Sequence, residues 1–114
     1  MKYALLMYGD ERRWAAATEE EIKEAYAAHG RFMDLLTERG AYLGGEELDG
    51  SSTAVTLRTG GGRTLRTDGP YAETAEHLGG FYLVEARDLD EAIEFATACP
   101  EEIVEIRPVV EYQG

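Results

Sequence analysis

Basic residues are scarce in this 114-residue chain: 11 Lys and Arg face 23 Asp and Glu, for a formal net charge of −12. Nucleic-acid phosphates are bound by Lys and Arg that displace counterions, and no basic cluster here exceeds the Arg12, Arg13 pair, so nucleic acid is excluded as a partner. Cysteine is limited to Cys99, which rules out an intramolecular disulfide and fits a reducing compartment. Apolar runs are short: the longest, Tyr3 to Tyr8, falls far below the ~20 residues that span a bilayer, and the N-terminus lacks the ordered charged and apolar regions of a signal peptide. A cytoplasmic protein without a membrane partner is expected. Serine is confined to Ser51 and Ser52, in a Gly and Asp turn with no neighbouring His, which leaves little basis for a Ser-His-Asp arrangement.

What remains is enough for a core. Surface scaling for 12.6 kDa gives roughly 6,000 Å² exposed when folded against roughly 18,000 Å² unfolded, and 44% of the residues are hydrophobic. One domain spanning residues 1–114 is expected. Lys2 to Tyr8 is nearly continuously apolar and reads as a buried strand. Gly9 to Ala17, with Trp14, reads as a loop. Thr18-Glu-Glu-Glu21 is a capping box, after which Ile22, Ala25, Tyr26, Phe32, Met33 and Leu36 trace a 3.6-residue stripe that Gly40 ends. His29 lies on that inward stripe. Gly30 beside it carries a mid-helix penalty of about 1 kcal/mol, which suggests close approach to the backbone there.

Ala41 to Gly45 reads as a second strand whose Gly44-Gly45 pair signals a bulge or close backbone approach. Ala54 to Arg58 and Arg63 to Thr67 alternate around Gly60-Gly-Gly62 as a β-hairpin. Asp68 opens a turn, a long loop runs to Leu78, and Gly79 to Ala86 is a buried strand. Asp88-Leu-Asp-Glu91 caps a second helix with Leu89, Ala92, Ile93, Ala96 and Cys99 on its apolar face, stopped by Pro100, and Ile103 to Val110 closes the fold. Without the hairpin, the order is strand, helix, strand, strand, helix, strand. This is an α+β fold, the ferredoxin-like split βαβ with an inserted β-hairpin. Right-handed crossovers put both helices on one face of the sheet, yet several strands are apolar at consecutive positions, so something must cover the other face. A homodimer is the expected cover.

Asp68-Gly-Pro-Tyr-Ala-Glu-Thr74 followed by Leu78 to Ala92 closely resembles the DGPF branch of the YCII-related family, as do Tyr8-Gly-Asp-Glu11, His29-Gly-Arg-Phe-Met33, Leu43-Gly-Gly-Glu46 and Ile106-Arg-Pro-Val109. The resemblance covers nearly the whole chain. It implies a bacterial protein with the dimeric α-β barrel version of the fold, in which two sheets pack face to face, and a His and Asp pair in a cleft. Carried over by motif, that catalytic pair is His29 and Asp68. Some relatives act on chlorinated hydroxyaromatic catabolites, while most DGPF proteins have no assigned reaction. Tyr71 stands where the family usually has Phe, and Ala75 where it usually has Lys, which removes any anion-binding role of that lysine.

An Asp bonded to one imidazole nitrogen fixes the tautomer and leaves the other nitrogen free to move a proton. Tyr8, Trp14, Tyr42, Tyr71 and Phe81 are the aromatics expected to line an apolar substrate pocket. His77, Glu73 and Glu76 match no metal signature, and neither glycine cluster is a phosphate-binding fingerprint, so no metal and no cofactor are expected. The expected function is acid-base chemistry on a small carbonyl or phenolic compound, as a cofactor-independent isomerase or lyase. The alternative is a non-catalytic ligand-binding or accessory domain.

Overall fold

The near-continuous apolar run at the N-terminus forms the strand around which the others assemble. The computed structural model describes residues 1–112, with β1 at Lys2–Gly9, α1 at Glu11–Ala15, α2 at Glu19–Glu38, β2 at Tyr42–Glu47, a 3₁₀ turn at Ser51–Thr53, β3 at Val55–Gly60, β4 at Arg63–Asp68, β5 at His77–Glu85, α3 at Leu89–Ala98 and β6 at Ile103–Pro108. One antiparallel sheet has the order β2-β5-β1-β6, and β3-β4 form a separate two-stranded ribbon. That strand order is the ferredoxin-like α+β topology expected from the sequence. No helix among the described residues is long and apolar enough to cross a membrane.

Period-two alternation divides β1 cleanly. Tyr3, Leu5 and Met7 are buried against the helices, while Ala4, Leu6 and Tyr8 face the other way and are only partly buried. On β5, Tyr82 and Val84 join the helix-side core and Phe81 and Leu83 lie on the opposite face. Phe32 and Leu36 of α2 and Ala92 and Phe95 of α3 complete the core. Burying Phe32 and Leu36 contributes roughly 2–3 kcal/mol each.

The ends of α2 carry the signals read from the sequence. The Thr18 hydroxyl accepts from the Glu21 amide at 3.1 Å and the Glu21 carboxylate from the Thr18 amide at 3.0 Å. At the other end Gly40, at φ +65°, donates to Thr37 and the Ala41 amide to Leu36, a Schellman closure. Gly45 is where two strands meet most closely: a Cβ there would stand 2.6 Å from the Phe81 carbonyl oxygen and 2.8 Å from Tyr82 Cδ1. The neighbouring register shift between Tyr42 and Gly44 is the bulge that the glycine pair signalled.

Several expectations are corrected. The segment after Gly9 contains α1, because the Asp10 carboxylate caps the Arg12 amide at 2.9 Å and also holds the Arg12 guanidinium, which keeps the Asp10 pKa at about 2. The hairpin turn needs only Gly61 and Gly62, both at positive φ, with Gly60 paired to Arg63. Asp68 is the last residue of β4, and the turn starts at Gly69, at φ +121°. In the second cap Asp88 accepts from the Glu91 amide, but the Glu91 carboxylate reaches back to the Arg87 amide instead of to Asp88. The closing strand stops at Pro108. Finally, nothing lies within 4 Å of where a Gly30 Cβ would be, so no close approach explains that glycine within the chain.

The β3-β4 ribbon projects from the body. The radius of gyration is 16.3 Å against about 13 Å for a compact chain of this length, and the exposed surface of 8341 Å² exceeds the roughly 6,000 Å² of a globular 12.6 kDa chain. Leu57 and Leu65 on the ribbon are 63% and 60% exposed.

Since its Cβ enters open space, Gly30→Ala should raise stability by about 1 kcal/mol, read from the urea midpoint at constant slope. Cys99 is buried, with its thiol 3.7 Å from Met7 Sδ, and desolvation first and the Glu101 charge second push its pKa up to about 12. It should therefore label slowly in the native state and rapidly in denaturant. Burial likewise pushes the Tyr82 phenol to about 12. Both groups have folded values above their ordinary values of 9 and 10, so their contribution to stability is intact below about pH 9 and is lost as pH climbs towards 12. Urea midpoints measured from pH 7 to 11 should fall in that alkaline range, and less steeply in Cys99→Ala relative to its own value at pH 7.

Candidate functional site

The capped register of α2 turns His29 towards the sheet, where its side chain is 18% exposed. Nδ1 lies 2.7 Å from the Tyr82 hydroxyl and Nε2 lies 2.8 Å from Glu101 Oε1. The two rings stack with centroids 5.9 Å apart. An ionised carboxylate only accepts, so Nε2 carries the proton directed at Glu101. In the neutral ring Nδ1 then accepts from the Tyr82 O–H. Desolvation keeps that phenol protonated, reinforced by Cys99, Tyr42 and Glu101 nearby. The result is an unbroken hydrogen-bonded line from a carboxylate through an imidazole to a buried phenol.

Glu101 is the open end of this line. It follows the Pro100 that ends α3, its side chain is 37% exposed, and with Ile93, Thr97, Val104 and Ile106 it borders a cavity of about 360 Å³. A molecule in that cavity would meet the carboxylate, which is hydrogen-bonded to the imidazole behind it.

Asp68 is elsewhere in the chain. Its carboxylate holds the Arg66 guanidinium at 3.1 Å, and its side chain is 79% exposed at the base of the ribbon. Within one chain both nitrogens of His29 are engaged by Tyr82 and Glu101, and Asp68 is not among its partners. The five expected pocket aromatics separate into distinct places. Tyr42 meets the Tyr82 ring edge-on at 6.5 Å, next to the His29 cluster. Trp14 packs edge-on against Tyr26 at 5.9 Å, and the Tyr26 hydroxyl donates to Glu47. Tyr71 is 77% exposed beneath the Arg58 guanidinium, while Tyr8 and Phe81 lie on the sheet face away from the helices.

The second histidine heads a separate cluster. His77 opens β5 opposite Gly9, and its Nδ1 lies 3.9 Å from Glu11 Oε2, sealed from solvent and without a hydrogen-bond partner. The Ser51 amide donates to Glu11 Oε1 at 2.6 Å and its hydroxyl to Oε2 at 2.7 Å. Those two bonds lower the Glu11 pKa, hydroxyl first, and so hold it as a carboxylate. Among the described residues no group of three or more His, Cys, Asp or Glu side chains converges as a metal site.

Tyr82, Glu101 and Glu11 were not singled out from the sequence. For Tyr82 a signal existed: the alternation that buries Val84 also points Tyr82 at the helix carrying His29. Glu101 lies in the turn after Pro100, where no periodicity fixes direction.

The profile of the YCII-related domain matches residues 1–113. The chain is also 38% identical over 96 residues to an uncharacterized protein of Rhizobium meliloti (strain 1021), covering 84% of this chain and 77% of that one. With the match running along essentially the full length, and with the ferredoxin-like topology in place, the chain belongs to the YCII-related domain family.

Proposed function

We propose that this YCII-related protein acts as a homodimer that binds a small carbonyl or phenolic compound and exchanges a proton with it through the Glu101–His29–Tyr82 line. The observation that carries the reading is the imidazole held at 2.7 Å and 2.8 Å between a phenol and a partly exposed carboxylate beside a cavity. Within one chain Glu101 takes the role that the family resemblance gives to Asp68. Glu101 would take or give the substrate proton, and His29 would hold the carboxylate in place through its Nε2 hydrogen bond. Such chemistry serves isomerisation or elimination and is typically worth 10²–10⁴ in rate.

The dimer is supported by the sheet face opposite the helices. Leu6, Tyr8, Phe81 and Leu83 are there, and each is only partly buried among the described residues. A second copy of the same face would cover them. The non-catalytic reading also has one observation in its favour: both nitrogens of His29 already have protein partners, as in an imidazole that braces a binding site.

Light scattering after size exclusion should give about twice 12.6 kDa, and Leu83→Arg should shift the protein towards monomer. A persistent monomer at micromolar concentration would remove the dimer. For the chemistry, a panel of small carbonyl and hydroxyaromatic compounds incubated with the protein in D₂O should show carbon-bound hydrogen exchange by NMR. Exchange should fall roughly 100-fold in Glu101→Gln and at least tenfold in His29→Ala. Binding without exchange in any of the three proteins would establish the non-catalytic reading instead.

A further inference from the structure

The His77 cluster borders its own cavity, of about 340 Å³, which shares no lining residue with the one beside Glu101. It opens between the 3₁₀ turn, the start of β5 and the loop after β4. Leu48, Ala54, Pro70 and Leu78 form apolar walls, and Ser51 and His77 supply a polar corner. We propose that this cavity is a second binding site, for a small uncharged hydroxyl compound with an apolar body, a phenol or an alcohol, whose O–H donates to His77 Nε2.

The chemistry follows from how the imidazole is held. Glu11 is fixed behind it, with each carboxylate oxygen bound by Ser51. A negative oxygen 3.9 Å from Nδ1 favours the tautomer with the proton on Nδ1, which leaves the Nε2 lone pair as an acceptor. Nδ1 is sealed, whereas Nε2 has no protein partner among the described residues and is not enclosed, so the acceptor is the ring's open edge. Nε2 is thus an acceptor without a protein partner among the described residues, set beside apolar walls. A donor with a hydrophobic body satisfies both.

Charge selects against anions. Glu11 and Asp49 stand at the site, and the chain carries a formal charge of −12, so a carboxylate or phosphate would enter against repulsion and meet no fixed cation among the lining residues. The aromatic or aliphatic body gains by burial against Leu48 and Leu78 at about 25 cal/mol per Å² removed from water.

Phenol and benzoate, nearly the same size and differing in charge, are the probes. In amide and imidazole NMR spectra, phenol should give saturable shifts at Ser51, His77 and Leu78, and benzoate at equal concentration should give none there. His77→Phe, which keeps the volume but loses the acceptor, should weaken phenol at least tenfold. Ala54→Leu, which narrows the cavity without touching the polar cluster, should do the same, so the test survives if one variant fails to fold. Benzoate binding as tightly as phenol, phenol affinity unchanged in both folded variants, or no phenol shifts at these residues would overturn the proposal. Shifts confined to His29 and Glu101 would overturn it while leaving the proton-transfer reading intact.

Discussion

Tyr82 has to bury an aromatic ring while satisfying a hydroxyl, and the centre of the molecule is arranged around that requirement. Its ring packs edge-on against Phe32 with centroids 5.1 Å apart and lies so close to Gly45 that β2 can pass only without a side chain there. Its hydroxyl reaches His29, which in turn reaches Glu101. The seating of α2 on the sheet and the polar line to the surface thus meet at one side chain, which shares with the Phe81 carbonyl the crowding that calls for glycine in β2. Breaking the line at His29 takes away the protein partner of a mostly buried phenol, a cost of about 1–3 kcal/mol. Structural and chemical roles at this position are therefore coupled, and substitutions there will register in stability as well as in any activity.

The large acidic excess leaves few cations, and they pair both with near neighbours and across the fold. Arg12 closes on Asp10, Arg39 on Glu91 and Arg107 on Glu105, all between groups at least partly exposed to solvent. Pairs of this kind contribute little net stability. Their effect is on geometry: the Asp10 cap sets where α1 begins, and so where Glu11 meets Ser51 and His77.

The elements with a sustained period could be read from residue order alone. The stripe from Ile22 to Leu36, the alternation of β1 and the paired turn signals define the ferredoxin-like order without reference to contacts. Five-residue α1 is shorter than two helical turns and cannot display a 3.6-residue period, so it reads as a loop. The hydrogen-bonded cluster at His29 is legible on one side only. His29 follows from its helix, but its carboxylate partner comes from a turn whose direction depends on how α3 and β6 pack. Motif similarity points to Asp68, which heads the most distinctive run in the chain and within one chain has Arg66 as its neighbour in space.

The projecting ribbon has two strands, so among the described residues each has an outer edge to which no further strand is paired. Such edges are templates for intermolecular strand addition, the first step of fibril-like association, especially when they carry Val55, Leu57 and Leu65 in the open. Arg58, Arg63 and Arg66 are spaced along the same ribbon, and stacking two copies in register would set these cations against one another. In a chain with 11 Lys and Arg, three of them are concentrated on this ribbon. Their repulsion opposes the in-register stacking that the open strand edges and exposed leucines invite.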